Sequence, residues 1–162
     1  MNERNDSGAT VVRRPGLVLA GAAAVLVSAY VHYRLYFLGG YRGIAPEQFA
    51  GLTISRAFAV NAVVGFVLAW ALVVSVRVPR LAGPAALAGV LFAAGTLSAY
   101  LLSRTVGLLG FDEHTTTTEG AVAAVAEVLA IGALGTWLVP LGSRAASVRT
   151  PSATALTGSR AT

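Results

Sequence analysis

GAVAAVAEVLAIGALGTWLV, residues 120–139, is a run of twenty residues with a single ionisable side chain, Glu127. A helix rises 1.5 Å per residue, so about 20 residues cover the ~30 Å hydrocarbon core of a bilayer. A β-barrel strand would instead alternate apolar and polar residues over about 10 positions, and this run does not alternate. Its ends read as helix ends. The hydroxyls of Thr115 to Thr118 suit the orphan N–H groups of a first turn, Glu119 suits the positive end of the helix dipole, and Pro140 closes the run.

Three earlier segments have the same character. The first begins at Pro15 and is nearly apolar to Leu38. The second covers residues 57–76 and is closed by Arg77, Pro79 and Arg80; the third covers residues 81–103 and is closed by Arg104. A soluble domain cannot bury four such helices in 162 residues. The fold class is therefore all-α, an integral membrane four-helix transmembrane bundle, with spans at about residues 15–38, 54–77, 81–104 and 119–140. Residues 1–14 form a polar N-terminus. Residues 141–162, rich in Ser, Thr, Ala and Arg without apolar period, are expected to be a disordered tail. The connection 78–80 is short enough to make the second and third spans an antiparallel hairpin, and Gly39, Gly40, Gly43 and Pro46 mark residues 38–53 as a loop.

Composition agrees. The chain is 56% hydrophobic and 12% charged, against about 45–50% and about 25% in a soluble domain, and its mean hydropathy is +0.71. It has no cysteine, which excludes disulfides, thiolate metal sites and Cys nucleophiles. All twelve basic residues are arginine. They flank apolar runs instead of lining one face, so the net charge of +5 is a topology signal and implies no nucleic-acid partner. With both termini cytoplasmic, Arg4, Arg13, Arg14, Arg77, Arg80, Arg144, Arg149 and Arg160 fall inside, and Arg34, Arg42, Arg56 and Arg104 outside. This is the orientation the positive-inside rule favours. Trp70 and Trp137 then lie toward the inner interface, and Tyr30, Tyr33, Tyr36 and Tyr41 toward the outer one. The stretch from Arg13 to Ala29 also has the outline of a cleavable signal peptide, but the apolar run continues past Ala29 and is long enough to span.

Polar residues inside the spans are costly and carry the functional information. Glu127 lies about 12 Å from the outer end of the fourth span. Gly120, Ala123 and Ala124 precede it by seven, four and three residues and share its face, so another helix can approach closely and the carboxyl points at protein. His32 ends the first span, Arg56 opens the second with Asn61 deeper, and Arg104 ends the third one turn after Tyr100. The expectation is an outward-facing intramembrane cluster of His32, Arg56, Asn61, Tyr100, Arg104 and Glu127. Its plainest use is a salt bridge from Glu127 to Arg56 or Arg104. Its functional use is a small-molecule, lipid-headgroup or proton-handling site. Arg34, beside Tyr33 and Tyr36, reads as an interfacial side chain. The stripes Gly16/Ala20/Ala24/Ser28 and Ala85/Gly89/Ala93 point to tight packing within the bundle or between two copies.

Catalytic motifs are missing: no GxSxG, no phosphate-binding Gly-rich loop before a helix, no HExxH and no CxxC. His32, His114, Asp112, Glu113 and Glu127 have no helical metal-ligand spacing, so neither a metal nor another cofactor is called for.

His32-Tyr33-Arg34-Leu35-Tyr36 followed by Gly40-Tyr41-Arg42-Gly43-Ile44-Ala45-Pro46, and Gly107-Leu108-Leu109-Gly110-Phe111-Asp112-Glu113 after the third span, resemble stretches of small uncharacterised four-helix membrane proteins from high-GC bacteria. Glu127 matches an acidic residue of their fourth helix, and Glu47-Gln48-Phe49 departs from their pattern. The resemblance covers most of residues 15–140 and implies the same topology without an activity. The expected role is thus non-enzymatic binding or assembly in the lipid bilayer, alone, as a homo-oligomer or with a membrane-protein partner. The alternatives are a homo-oligomeric proton-coupled carrier using Glu127, and a membrane enzyme acting on a lipid or quinone.

Overall fold

The computed structural model describes residues 14–42, 52–108 and 117–148. It contains four helices in chain order: α1 (Pro15–Phe37), α2 (Ile54–Ser75), α3 (Pro79–Thr105) and α4 (Thr118–Val148). Each contains a stretch long and apolar enough to cross a membrane, which in α4 is Thr118–Val139. The chain is an all-α four-helix bundle of transmembrane helices.

Local chemistry sets the helix ends. Pro15 and Pro79 open α1 and α3, where a missing N–H costs nothing and φ is already helical. Thr53 caps α2, its Oγ1 accepting from the Arg56 N–H at 3.2 Å. Thr117 caps α4 in the same way, from the Gly120 N–H at 3.1 Å. Between α2 and α3 the N–H groups of Arg77 and Val78 both return to the Val74 carbonyl at 3.0 Å, which makes the hairpin tight.

Three boundaries differ from the sequence reading. The third span was expected from residue 81, but Pro79 starts α3 earlier because proline is acceptable in a first turn. The second ends at Ser75, where the turn bonds to Val74 begin. Residues 141–162 were expected to be disordered, yet α4 continues through Pro140 to Val148; residues 149–162 lie outside the described ones.

Successive helices are neighbours, α4 closes the ring against α1, α1 meets α3 weakly across the middle, and α2 and α4 do not meet. Residue pairs run in opposite directions along every neighbouring pair, so the bundle is up-down-up-down. One end, here the hairpin end, holds the α2–α3 turn. The loop end holds the two longer connections.

Packing inverts the soluble pattern. The buried side chains are mostly small, among them Ala22, Ala29, Ala62, Ala69, Ala86, Ala93 and Ala130, whereas Val63, Val67, Leu91, Val125 and Leu129 are exposed and Trp70 is 70% exposed. Lipid tails solvate large apolar groups as well as a protein core does, so helix association depends on close approach, which small residues permit.

The closest approach is in the hairpin half. Leu134 of α4 is 0% exposed. Its side chain occupies the space that a Cβ at Gly21 of α1 would need, and a Cβ at Gly89 of α3 would lie 2.6 Å from its Cδ1. Leu72 Cδ1 of α2 would lie 3.5 Å from the same Cβ. One leucine therefore wedges into two glycine notches. Higher up, a Cβ at Gly65 would lie 2.7 Å from that of Ala29. Of the two small-residue stripes, Ala85/Gly89/Ala93 packs inside the bundle, whereas Gly16 and Ala20 are exposed. The contact face of α1 is instead Gly21, Ala22, Val25, Ser28, Ala29 and His32.

Candidate functional site

The loop half is built differently. Glu127 is 2% exposed and Ser28, opposite it on α1, is 1% exposed. The Ser28 hydroxyl donates to Glu127 Oε1 at 2.9 Å. One turn further along α1, His32 Nδ1 lies 2.8 Å from the Ser28 carbonyl oxygen. A carbonyl only accepts, so Nδ1 carries the proton and the neutral ring keeps its lone pair at Nε2. The imidazole packs against Phe58 of α2 with ring centroids 5.5 Å apart. From α3 the Thr96 hydroxyl, 2.8 Å from the Phe92 carbonyl, is a second uncharged hydrogen-bond partner of the carboxyl.

These groups surround a cavity of about 90 Å³. Its polar lining includes His32, Asn61, Thr96, Tyr100, Ser103 and Glu127, with Leu35, Ile54 and Phe58 among the apolar walls. Gly120 brings α4 close to Tyr100: a Cβ there would lie 3.2 Å from the ring. A water needs only about 10–15 Å³ of such space, so the cavity accommodates several.

Of the six residues expected to cluster, His32, Asn61, Tyr100 and Glu127 line this cavity; Arg56 and Arg104 do not. Arg56 is exposed on the first turn of α2. Arg104 lies over the Tyr100 ring, its guanidinium carbon 5.9 Å from the centroid, and its Nη1 is buried without a hydrogen bond. The expected bridge from Glu127 to Arg56 or Arg104 is not formed; the carboxyl instead accepts a hydrogen bond from Ser28. Depth along the helices explains this. Arg104 is eight residues beyond Thr96, about 12 Å toward the interface, and a long guanidinium side chain extends to the boundary, not down into the bundle. Arg34 is exposed as expected. His114, Asp112 and Glu113 lie outside the described residues.

Sequence reading missed Ser28 and Thr96 as partners of the carboxyl. Their hydroxyls satisfy backbone or side-chain acceptors within or between helices and leave little trace in an apolar run. Ser28 had registered only as a small residue in a stripe.

The chain matches no family model, no curated protein and no solved structure. The chemistry must therefore be read from the residues. A Ser–His nucleophile needs the hydroxyl to donate to an imidazole nitrogen; here Ser28 donates to the carboxyl and His32 is turned to a backbone carbonyl. The arrangement holds a buried acid at the wall of a small, mostly apolar space with a few polar groups.

Proposed function

We propose that this is a multi-pass protein of the cytoplasmic membrane, with both termini on the cytoplasmic side, that acts by binding and not by catalysis, through the acid-bearing cavity at its outward-facing loop end. The observation that carries the reading is Glu127, a buried acid that lines a cavity and whose hydrogen-bond partners are uncharged hydroxyls. A carboxyl kept for stability would face a cation, because breaking a buried ion pair costs about 3–5 kcal/mol. An acid housed without one is what a binding site retains at the expense of stability. The arginine distribution supports the orientation.

The deciding experiment fills the space. Ala124 lines the cavity beside Glu127, and Ala124→Leu should leave the fold intact while removing guest binding, measured by ligand-dependent thermal unfolding of the detergent-solubilised chain. A variant that retains binding would end this reading. The carrier alternative uses the same carboxyl and separates by proton flux in proteoliposomes, which binding alone does not require. Arginine-directed topology reporters at both termini test the orientation.

A further inference from the structure

We propose that the cavity receives a small ammonium-type cation, ammonium itself or a short protonated primary amine, with the Glu127 carboxylate as counter-charge and the rings of Tyr100 and Phe58 as walls. This rests on the binding role proposed above and adds the chemical class of the guest.

The polar lining is mixed. Ser103 and His32 Nδ1 have already given their protons away, to the Tyr100 carbonyl at 2.8 Å and the Ser28 carbonyl, and Ser28, behind the carboxyl, donates to Glu127. The hydroxyl oxygens and the imidazole Nε2 are left as lone pairs, and the carboxylate adds more. Tyr41, Asn61, Tyr100 and Thr117 bring donors to the same space, so it is Glu127, the single acid of the lining, that selects a cationic guest and repels an anion.

Charge points the same way. Arg34, Arg42, Arg56 and Arg104 all lie at the loop end, yet none lines the cavity. Arg104 is held over Tyr100 and Arg42 lies 5.9 Å from the Phe37 ring centroid. Glu127 is the only acidic residue in the lining, and no cationic residue other than a protonated His32 shares it among the described residues. Aromatic walls favour a weakly hydrated organic cation over a strongly hydrated alkali ion, and about 90 Å³ limits the guest to a few heavy atoms.

The titratable groups facing the guest are Glu127 from α4, His32 from α1, Tyr100 from α3 and Tyr41 from the segment after α1; α2 contributes the uncharged Asn61. Protonating Glu127 removes the counter-charge, and protonating His32 adds a like charge. Both oppose the guest, so its affinity should rise with pH.

The test measures thermal unfolding of the full chain in detergent with methylammonium chloride, against sodium chloride, methanol and sodium formate at matched concentrations. Methylammonium should raise the midpoint saturably, as a guest of the folded state does, more strongly at about pH 8 than at about pH 6. Glu127→Gln should weaken it on the order of tenfold or more. If that variant does not fold, Ala124→Leu provides the same loss by occlusion. A methylammonium effect no larger than that of sodium chloride, or one that survives both substitutions, overturns the proposal. Saturable stabilisation by methanol alone, lost in Ala124→Leu, would overturn the cation assignment and leave the binding role standing. No response to any guest would end both.

Discussion

The two halves of this bundle solve opposite problems with the same kinds of residue. In the hairpin half Leu134 fills notches at Gly21 and Gly89, and little space is left. In the loop half Gly120 and Ala123 also line the interface of α4, but the space they create is kept open around Glu127. Small residues permit close approach; whether the gap closes depends on what faces it. An aliphatic wedge closes it, and a carboxyl with a hydroxyl partner holds it open. In the first half the helices interlock, and in the second they leave a space.

That contrast can be broken most forcefully at the wedge. Leu134→Ala should cost about 2–5 kcal/mol, as other buried leucine truncations do, read from reversible unfolding in mixed micelles. A cost near zero would mean that the hairpin half is not the tighter one. Next in size, Gly89→Val should cost about 1–3 kcal/mol through overpacking against Leu134 and Leu72. The opposing substitution in the open half, Ala124→Leu, should cost clearly less, and equal penalties would erase the distinction. Glu127→Gln keeps an acceptor for Ser28 and should change stability by no more than about 1 kcal/mol. A loss of about 3–5 kcal/mol would reveal an ion pair and move the loop half into the structural category. Smallest of all, Ser28→Ala removes one interhelical hydrogen bond, for which about 0.6 kcal/mol is typical inside membranes. The His32 contact to the Ser28 carbonyl should survive, visible as an unchanged imidazole tautomer by nitrogen NMR.

The fold was legible in the sequence because membrane thickness imposes a length and the first and fourth spans had marked starts, at Pro15 and at Thr115 to Thr118. The cap at Thr53 and the opening of α3 at Pro79 were not read, since Thr53 adjoined a loop and Pro79 also suits the end of the span before it. The inward direction of Glu127 was legible from Gly120, Ala123 and Ala124 on its face. Its partner was not. Spacing shows which face a residue occupies, but not where a six-bond arginine side chain ends, so Arg56 and Arg104 were placed by chemistry where geometry puts Ser28 and Thr96. Leu134 was invisible for another reason. In an apolar helix every leucine looks alike, and only the glycines opposite single one out.

Leu134 and Glu127 both belong to α4, and this has a consequence in time. Chains are made from the N-terminus, so α1, α2 and α3 enter the bilayer first. Until α4 follows, the grooves at Gly21 and Gly89 have no occupant and the Ser28 hydroxyl has no carboxylate to meet. Meanwhile α4 carries an acid that opposes its own partitioning into lipid by about 2.5–3.5 kcal/mol if the charge enters alone. The waiting trio and the late helix each lack what the other brings.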